Sequence, residues 1–190
     1  DLDLLFLHGA ARGQTSGPQS IDNGQFYARI GQRLVHILTS HTRAGRIYEA
    51  DMRLRPSGSS GPLVSHAEAF AAYEETKAWT WEHQALIRAR AVGGDPALGE
   101  RFAGIRQRIL TQPRDIAHLR HDVRAMRDRL RHEQAPSPSG WFDLKHDPGG
   151  IIDIEFLVQF LVLAHAAAHP ALVRWSDNVR QLENLMASGV

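Results

Sequence analysis

One stretch of this chain alternates with a period of two, another is an apolar run of strand length, and most of the rest repeats with a period near that of a helix. Asp1-Leu2-Asp3-Leu4-Leu5-Phe6-Leu7 is an almost wholly apolar run with the length and composition of a buried strand. Tyr48-Glu49-Ala50-Asp51-Met52-Arg53-Leu54-Arg55 alternates throughout. As a strand it puts Glu49, Asp51, Arg53 and Arg55 on one face and Tyr48, Ala50, Met52 and Leu54 on the other. Between these two runs, His8 to Gly24 is a Gly/Ser/Gln/Pro-rich loop. Phe26, Ile30, Leu34, Ile37 and Leu38 then define an amphipathic helix over Phe26 to Ser40, expected to pack on the sheet, and Thr42 to Gly45 turns the chain into the second strand.

After the second strand, Pro56-Ser57-Gly58-Ser59-Ser60-Gly61-Pro62 is a loop of small residues of the kind that lets a backbone approach a phosphate closely. Ser65-x-x-Glu68 reads as a capping box opening a helix towards Arg90, with Ala89 to Val92 as one more short strand. Asp95 and Pro96 start a helix to about Leu110, and Asp115 caps another from Ile116 to about Glu133 with a basic exposed side. Ala135 to Gly140 is a linker and Trp141 to Lys145 a brief extended piece. Ile151 to Ala168 and Asp177 to Met186 are helical, the first carrying Asp153 and Glu155 where the helix dipole favours carboxylates. The Trp79 and Trp81 rings are expected in the core, and no internal repeat is visible.

Composition narrows the field only a little. A chain of 190 residues with 43% hydrophobic content is long enough for one sizeable domain or two small ones. A net charge of +1 gives no reason to expect nucleic acid or an anionic membrane as the main partner, although arginines gather between Arg101 and Arg131. The absence of cysteine excludes disulfides and thiolate metal sites. No apolar run approaches the roughly 20 residues that span a bilayer. The chain starts inside a strand, without Met, and is expected to be a fragment of a longer polypeptide.

The candidate chemistry lies where the two strands meet. Asp1 and Asp3 are two apart and leave the sheet side by side; if the strands are neighbours, Asp51 joins them. Three converging carboxylates stay ionised only when a cation neutralises them, and an all-oxygen cluster suits Mg²⁺. The same residues also fit a solvated strand end and a charge-paired outer face. Arg53 and Arg55 are candidates for triphosphate charge or for pairing with Glu49, and Lys145 for a phosphate or for Asp153. His165 and His169 have metal-ligand spacing, but no glutamate follows the first as in a zinc protease motif.

Several long runs resemble one family in order. They are Asp1 to His8, Tyr48 to Gly58, Glu75 to Arg90, Phe142 to Lys145 with Gly149 to Phe156, and Arg174-Trp175-Ser176-Asp177-Asn178. Together these are similar to the bifunctional glutamine synthetase adenylyltransferase/adenylyl-removing enzyme, and Trp79 to His83 with Lys145 to Phe156 look more like its C-terminal, adenylylating half. The resemblance implies an α+β fold: a polymerase-β-like nucleotidyltransferase core, a mixed sheet with helices, over residues 1–112, then an all-α helical domain over 113–190. It implies Mg²⁺ held by Asp1, Asp3 and Asp51; analogy with two-metal phosphoryl chemistry makes that two ions, and the residues themselves offer Arg53, Arg55, Ser57, Gly58 and Lys145 as nucleotide-binding candidates. The reaction implied is transfer of AMP from ATP to a tyrosine hydroxyl of glutamine synthetase; the deadenylylating half, or a docking fragment, are the alternatives. Implied partners are glutamine synthetase, a nitrogen regulatory protein of the P-II type and the other half of the polypeptide, in the cytoplasm, without nucleic acid or membrane.

Overall fold

The computed structural model of the protein describes residues 2–46, 48–134 and 139–190, so Asp1 lies outside the described residues. The fold is α+β. The chain forms two compact units, one of Asp1–Ala78 with Asp95–Arg101 and one of Trp79–Gly94 with Phe102–Val190.

The first unit holds the strands. The expected strand over 1–7 is interrupted at Leu4-Leu5 into β1 (Leu2–Asp3) and β2 (Phe6–His8). Each half takes its own parallel partner: β1 pairs with β3 (Ala50–Asp51), and β2 pairs with β4 (Val64–His66). Parallel neighbours need a crossover, and helix α1 (Asn23–Thr39) lies in the connection from β2 to β3. Its start is set by Asp22, whose Oδ1 accepts from the amides of Gly24 at 2.8 Å and Gln25 at 3.3 Å.

The face α1 turns to the sheet is not the expected one. Phe26, Ile30, Leu34 and Ile37 are exposed, whereas Gly31 is buried. A Cβ on Gly31 would stand 2.7 Å from Val64 Cγ2, so the missing side chain sets the close approach to β4. The eight-residue strand over 48–55 is likewise shorter than its alternation suggests. Asp51 Oδ1 accepts from the Arg53 amide at 2.8 Å, a local turn that ends the ladder after two residues. Arg53 and Arg55 therefore do not share a strand face with Asp51.

Ser65 is not a cap. It sits buried in β4, and His66 takes the position instead, its Nδ1 accepting from the Glu68 amide at 3.1 Å at the start of α2 (Ala67–Thr76). The single helix expected through to Arg90 is two, because Trp79 halts and restarts the chain. Its amide donates to Glu82 Oε2 at 2.8 Å, opening α3 (Thr80–Arg88). Trp79 is 70% exposed, against the expected core position, and Ala89 to Val92 forms no strand.

Helix α4 (Pro96–Leu110) starts in the first unit and continues into the second. The rest of the second unit is α3, α5 (Ile116–Glu133), α6 (Ile151–His165), a short 3-10 turn (Pro170–Val173) and α7 (Asn178–Ala187). Asp115 and Asp177 cap α5 and α7 through bonds from His118 N at 2.9 Å and Arg180 N at 3.0 Å. Ile87, Ile109, Leu110, Val158, Val162, Leu163, Leu172 and Leu185 fill its core. Two buried polar side chains tie this core together: Gln84 Nε2 donates to Gln159 Oε1 at 2.8 Å, and the Arg106 guanidinium donates to the carbonyls of Leu86, Ile87 and Val173. Residues 144–146 form a turn rather than the expected extended piece, organised by Asp143, whose Oδ1 accepts from Lys145 N at 2.8 Å.

Candidate active site

Strand pairing decides which carboxylates meet. In the parallel β1–β3 ladder Leu2 is opposite Ala50 and Asp3 is opposite Asp51. The Leu2 amide donates to Glu49 O at 2.7 Å and the Leu4 amide to Asp51 O at 2.8 Å, which fixes the register on both sides of Asp3. Neighbouring strands lie about 4.8 Å apart, and facing residues point to the same side of the sheet. Asp3 and Asp51 thus share a face as immediate neighbours. The pair needed two strands separated by more than forty residues to fold against each other, and residue spacing alone could only make it conditional.

Asp51 is not bare. Arg53 meets it twice, with its backbone amide on Oδ1 at 2.8 Å and its side-chain Nε on Oδ2 at 2.7 Å. The side-chain hydrogen bond from Arg53, its backbone hydrogen bond and its charge hold the Asp51 carboxyl below the usual carboxylate range, against a smaller opposing effect of partial burial. Arg53 is raised in turn by that hydrogen bond and by the charges of Asp51 and Asp3. Sequence offered Arg53 a triphosphate or Glu49; the partner of Glu49 is instead Arg46, at 2.9 Å. The Asp-x-Arg spacing was the available signal, since an aspartate readily accepts from the amide two residues on.

The remaining candidates are placed differently. The Arg55 guanidinium is engaged with the main chain of its own loop, donating to Met52 O at 2.7 Å, Ser59 O at 3.2 Å and Gly61 O at 3.3 Å. Ser57 and Gly58 both sit in the left-handed region, with φ of 61° and 54°, and lead into a single 3-10 turn over Gly58–Ser60. Gly61 closes the loop so tightly that a Cβ there would lie 1.9 Å from Pro56 O. The result is a pinned loop of small residues directly after the Asp51 strand. Lys145 belongs to the second unit, where its carbonyl accepts from Ile152 N at 3.2 Å at the head of α6. Asp153 is not its partner: Arg127, Arg131 at 2.8 Å and the Gly149 amide at 2.7 Å converge on that carboxylate. Partial burial works to raise the Asp153 pKa, but these bonds and the Arg127 charge outweigh it and leave it lowered.

Hard oxygen donors such as Asp3 and Asp51 suit Mg²⁺ or Mn²⁺. Among the described residues no group of three or more metal-binding side chains is assembled, and the expected third carboxylate, Asp1, is outside them. The two carboxylates present fit such an ion in kind and in sharing a face.

The model of the family described as Glutamate-ammonia ligase adenylyltransferase matches residues 1–105. Over the whole chain the sequence is 55% identical to a relative from Thioalkalivibrio sulfidiphilus, 53% to one from Hahella chejuensis and 52% to one from Nitrosococcus oceani. All three are named bifunctional glutamine synthetase adenylyltransferase/adenylyl-removing enzyme. The chain covers 20% of each of them, about a fifth of the length of the curated relatives it matches.

Proposed function

The chain belongs to the Glutamate-ammonia ligase adenylyltransferase family, and from that footing we propose that its first unit is the nucleotidyltransferase core that moves AMP from ATP to a tyrosine hydroxyl of glutamine synthetase. The observation that carries the reading is the register of β1 and β3, which sets Asp3 opposite Asp51. Such a pair in a polymerase-β-like core is where Mg²⁺ would be held, with Asp1 as the third ligand. Bound there, Mg²⁺ supplies Lewis-acid polarisation and neutralises charge on the phosphates.

The chain's own residues supply the rest. In the reaction the tyrosine hydroxyl gives its proton to solvent as its oxygen bonds to the α-phosphorus, the bond from that phosphorus to the bridging oxygen breaks, and pyrophosphate leaves. Asp51, a carboxylate whose ordinary pKa of about 4 lies far below the tyrosine's of about 10, is a poor acceptor for the tyrosine proton. Its part is fixed negative charge. Arg53, on the exposed side of the pair, is the group for the triphosphate, and Arg55 serves by pinning the Ser57–Gly58 loop whose backbone would lie along it. A cytoplasmic setting, a P-II-type regulator and the other half of the polypeptide as partners belong to the same reading. No helix among the described residues is long and apolar enough to cross a membrane.

The test uses the full-length polypeptide with Mg²⁺ and ATP labelled in the α-phosphate. Label on glutamine synthetase, lost in Asp51→Asn with the circular dichroism spectrum unchanged, is the expected result. Phosphate-dependent release of ADP from adenylylated glutamine synthetase, with no label transferred forward, would assign the chain to the reverse reaction.

A further inference from the structure

We propose that Arg53 is a resident counter-ion of Asp51, a cation built into the chain that an incoming divalent metal ion displaces and that then serves the phosphates arriving with it. The inference rests on the reading of Asp3 and Asp51 as metal carboxylates and adds to it a residue that guards the site.

Two carboxylates facing the same way on adjacent strands repel each other and need a positive charge close by. The fold supplies one two residues beyond Asp51. Main chain and side chain divide the work. The Arg53 amide on Oδ1, at 2.8 Å, orients the carboxylate and can persist with a metal bound, because it leaves the other oxygen untouched. The Nε bond to Oδ2, at 2.7 Å, occupies the oxygen a metal would use. A cation reaches Oδ2 only when the guanidinium leaves.

The exchange is easy in one direction. The Arg53 side chain is 83% exposed and that of Asp51 23%, and an ion pair in contact with solvent is weak and readily screened. Arg55 makes the contrast, since its three carbonyl partners hold it in the loop. Arg53 is the mobile cation of the two. Once free, its planar fork matches the oxygens of a phosphate. Metal and nucleotide should therefore bind with mutual support, because the phosphates rehouse the charge that the metal evicts.

The experiment measures binding of Mn²⁺ alone, by electron paramagnetic resonance, to the full-length protein and to Arg53→Ala, Arg53→Lys and Asp51→Asn, at low and high salt. Wild type is expected to bind Mn²⁺ more weakly than Arg53→Ala by roughly two- to five-fold, the size of an exposed ion pair, with the gap closing as salt is raised. Arg53→Lys, which keeps the charge without the fork, falls between them. Asp51→Asn loses affinity in either background. Equal or weaker binding in Arg53→Ala, alongside a loss in Asp51→Asn, would overturn the counter-ion role while leaving the carboxylates as metal ligands. Binding that is indifferent to Asp51→Asn would overturn both.

Discussion

Arg53 with Asp51 and Arg127 with Asp153 are the same two side-chain types in similar contact, in different surroundings. Arg127 is 8% exposed; it bridges α5 to Asp153 in the first turn of α6 and also donates to His146 O at 3.0 Å. Arg131 and the Gly149 amide complete the shell around that carboxylate. Arg53 reaches Asp51 from only two residues away and faces water. The two carboxylates are equally exposed, so the difference lies in the arginines: a guanidinium buried between helices cannot leave without opening the packing around it, whereas one that faces water can exchange its partner for solvent, a metal or a phosphate. The helical unit uses arginine to lock its frame, and the strand unit uses it to hold a site ready.

The largest effect that follows is on the locked pair. Arg127→Ala removes a buried side chain together with its bonds to Asp153 and His146 O, and should destabilise the protein by about 2–3 kcal/mol, as read from urea unfolding. A loss under about 0.5 kcal/mol would place the pair in the class of surface contacts. Next comes the pinned loop, where shape rather than charge does the holding. Gly61→Ala forces a methyl onto Pro56 O and should cost about 1–3 kcal/mol, as overpacking does, because the obstacle is backbone. Asp22→Ala removes the α1 cap and should cost about 1 kcal/mol.

Acid should act on the strand unit through His8. This imidazole, buried at the end of β2, stacks on Tyr27 with ring centroids 4.7 Å apart and meets the edge of His66 at 5.1 Å. Burial first, and the His66 charge second, push its pKa below 6.5, while Asp22 pulls weakly the other way. The unfolded chain therefore binds the proton more readily than the folded one. Stability from this group is present above about pH 6.5 and is lost as pH falls through the lower folded value. Urea unfolding on either side of that window should show the slope, and His8→Phe should flatten it. The smallest expected change in stability is at the site itself: Asp51→Asn stays within about 0.5 kcal/mol of wild type. Its label transfer to glutamine synthetase should nevertheless fall by at least about a hundredfold, as when a preorganised charge is lost from a reaction centre.

Much of the helical unit was legible because its signals are local. Asp115 marks a helix start by a side chain reaching an amide three residues on, and α5 begins where that cap puts it; the helix expected from Asp177 begins one residue later, with Asp177 as its cap. The strand unit was legible in its chemistry and less so in its geometry. Val64-Ser65-His66 is too short to show a period, so β4 leaves no pattern in the sequence, and Ser65-x-x-Glu68 imitates the cap that His66 provides. The alternation from Tyr48 to Arg55 is real, but a turn made by the Asp51 side chain stops the strand it suggests. The exposed stripe on α1 was misplaced because Gly31, with no side chain to count in an apolar pattern, is what meets the sheet. The Asp3–Asp51 neighbourhood depends on a parallel pairing across α1, which no local pattern encodes.

On the proposal made above, this neighbourhood receives a metal ion as Arg53 lets go. Anomalous diffraction from crystals of the full-length protein with Mn²⁺ and a non-hydrolysable ATP analogue tests it most directly. A manganese peak is expected within coordination distance of the Asp3 and Asp51 carboxylates, with the Arg53 guanidinium off Oδ2 and turned to a phosphate. Manganese bound elsewhere, with Arg53 still closed on Asp51 and the nucleotide in place, would contradict it.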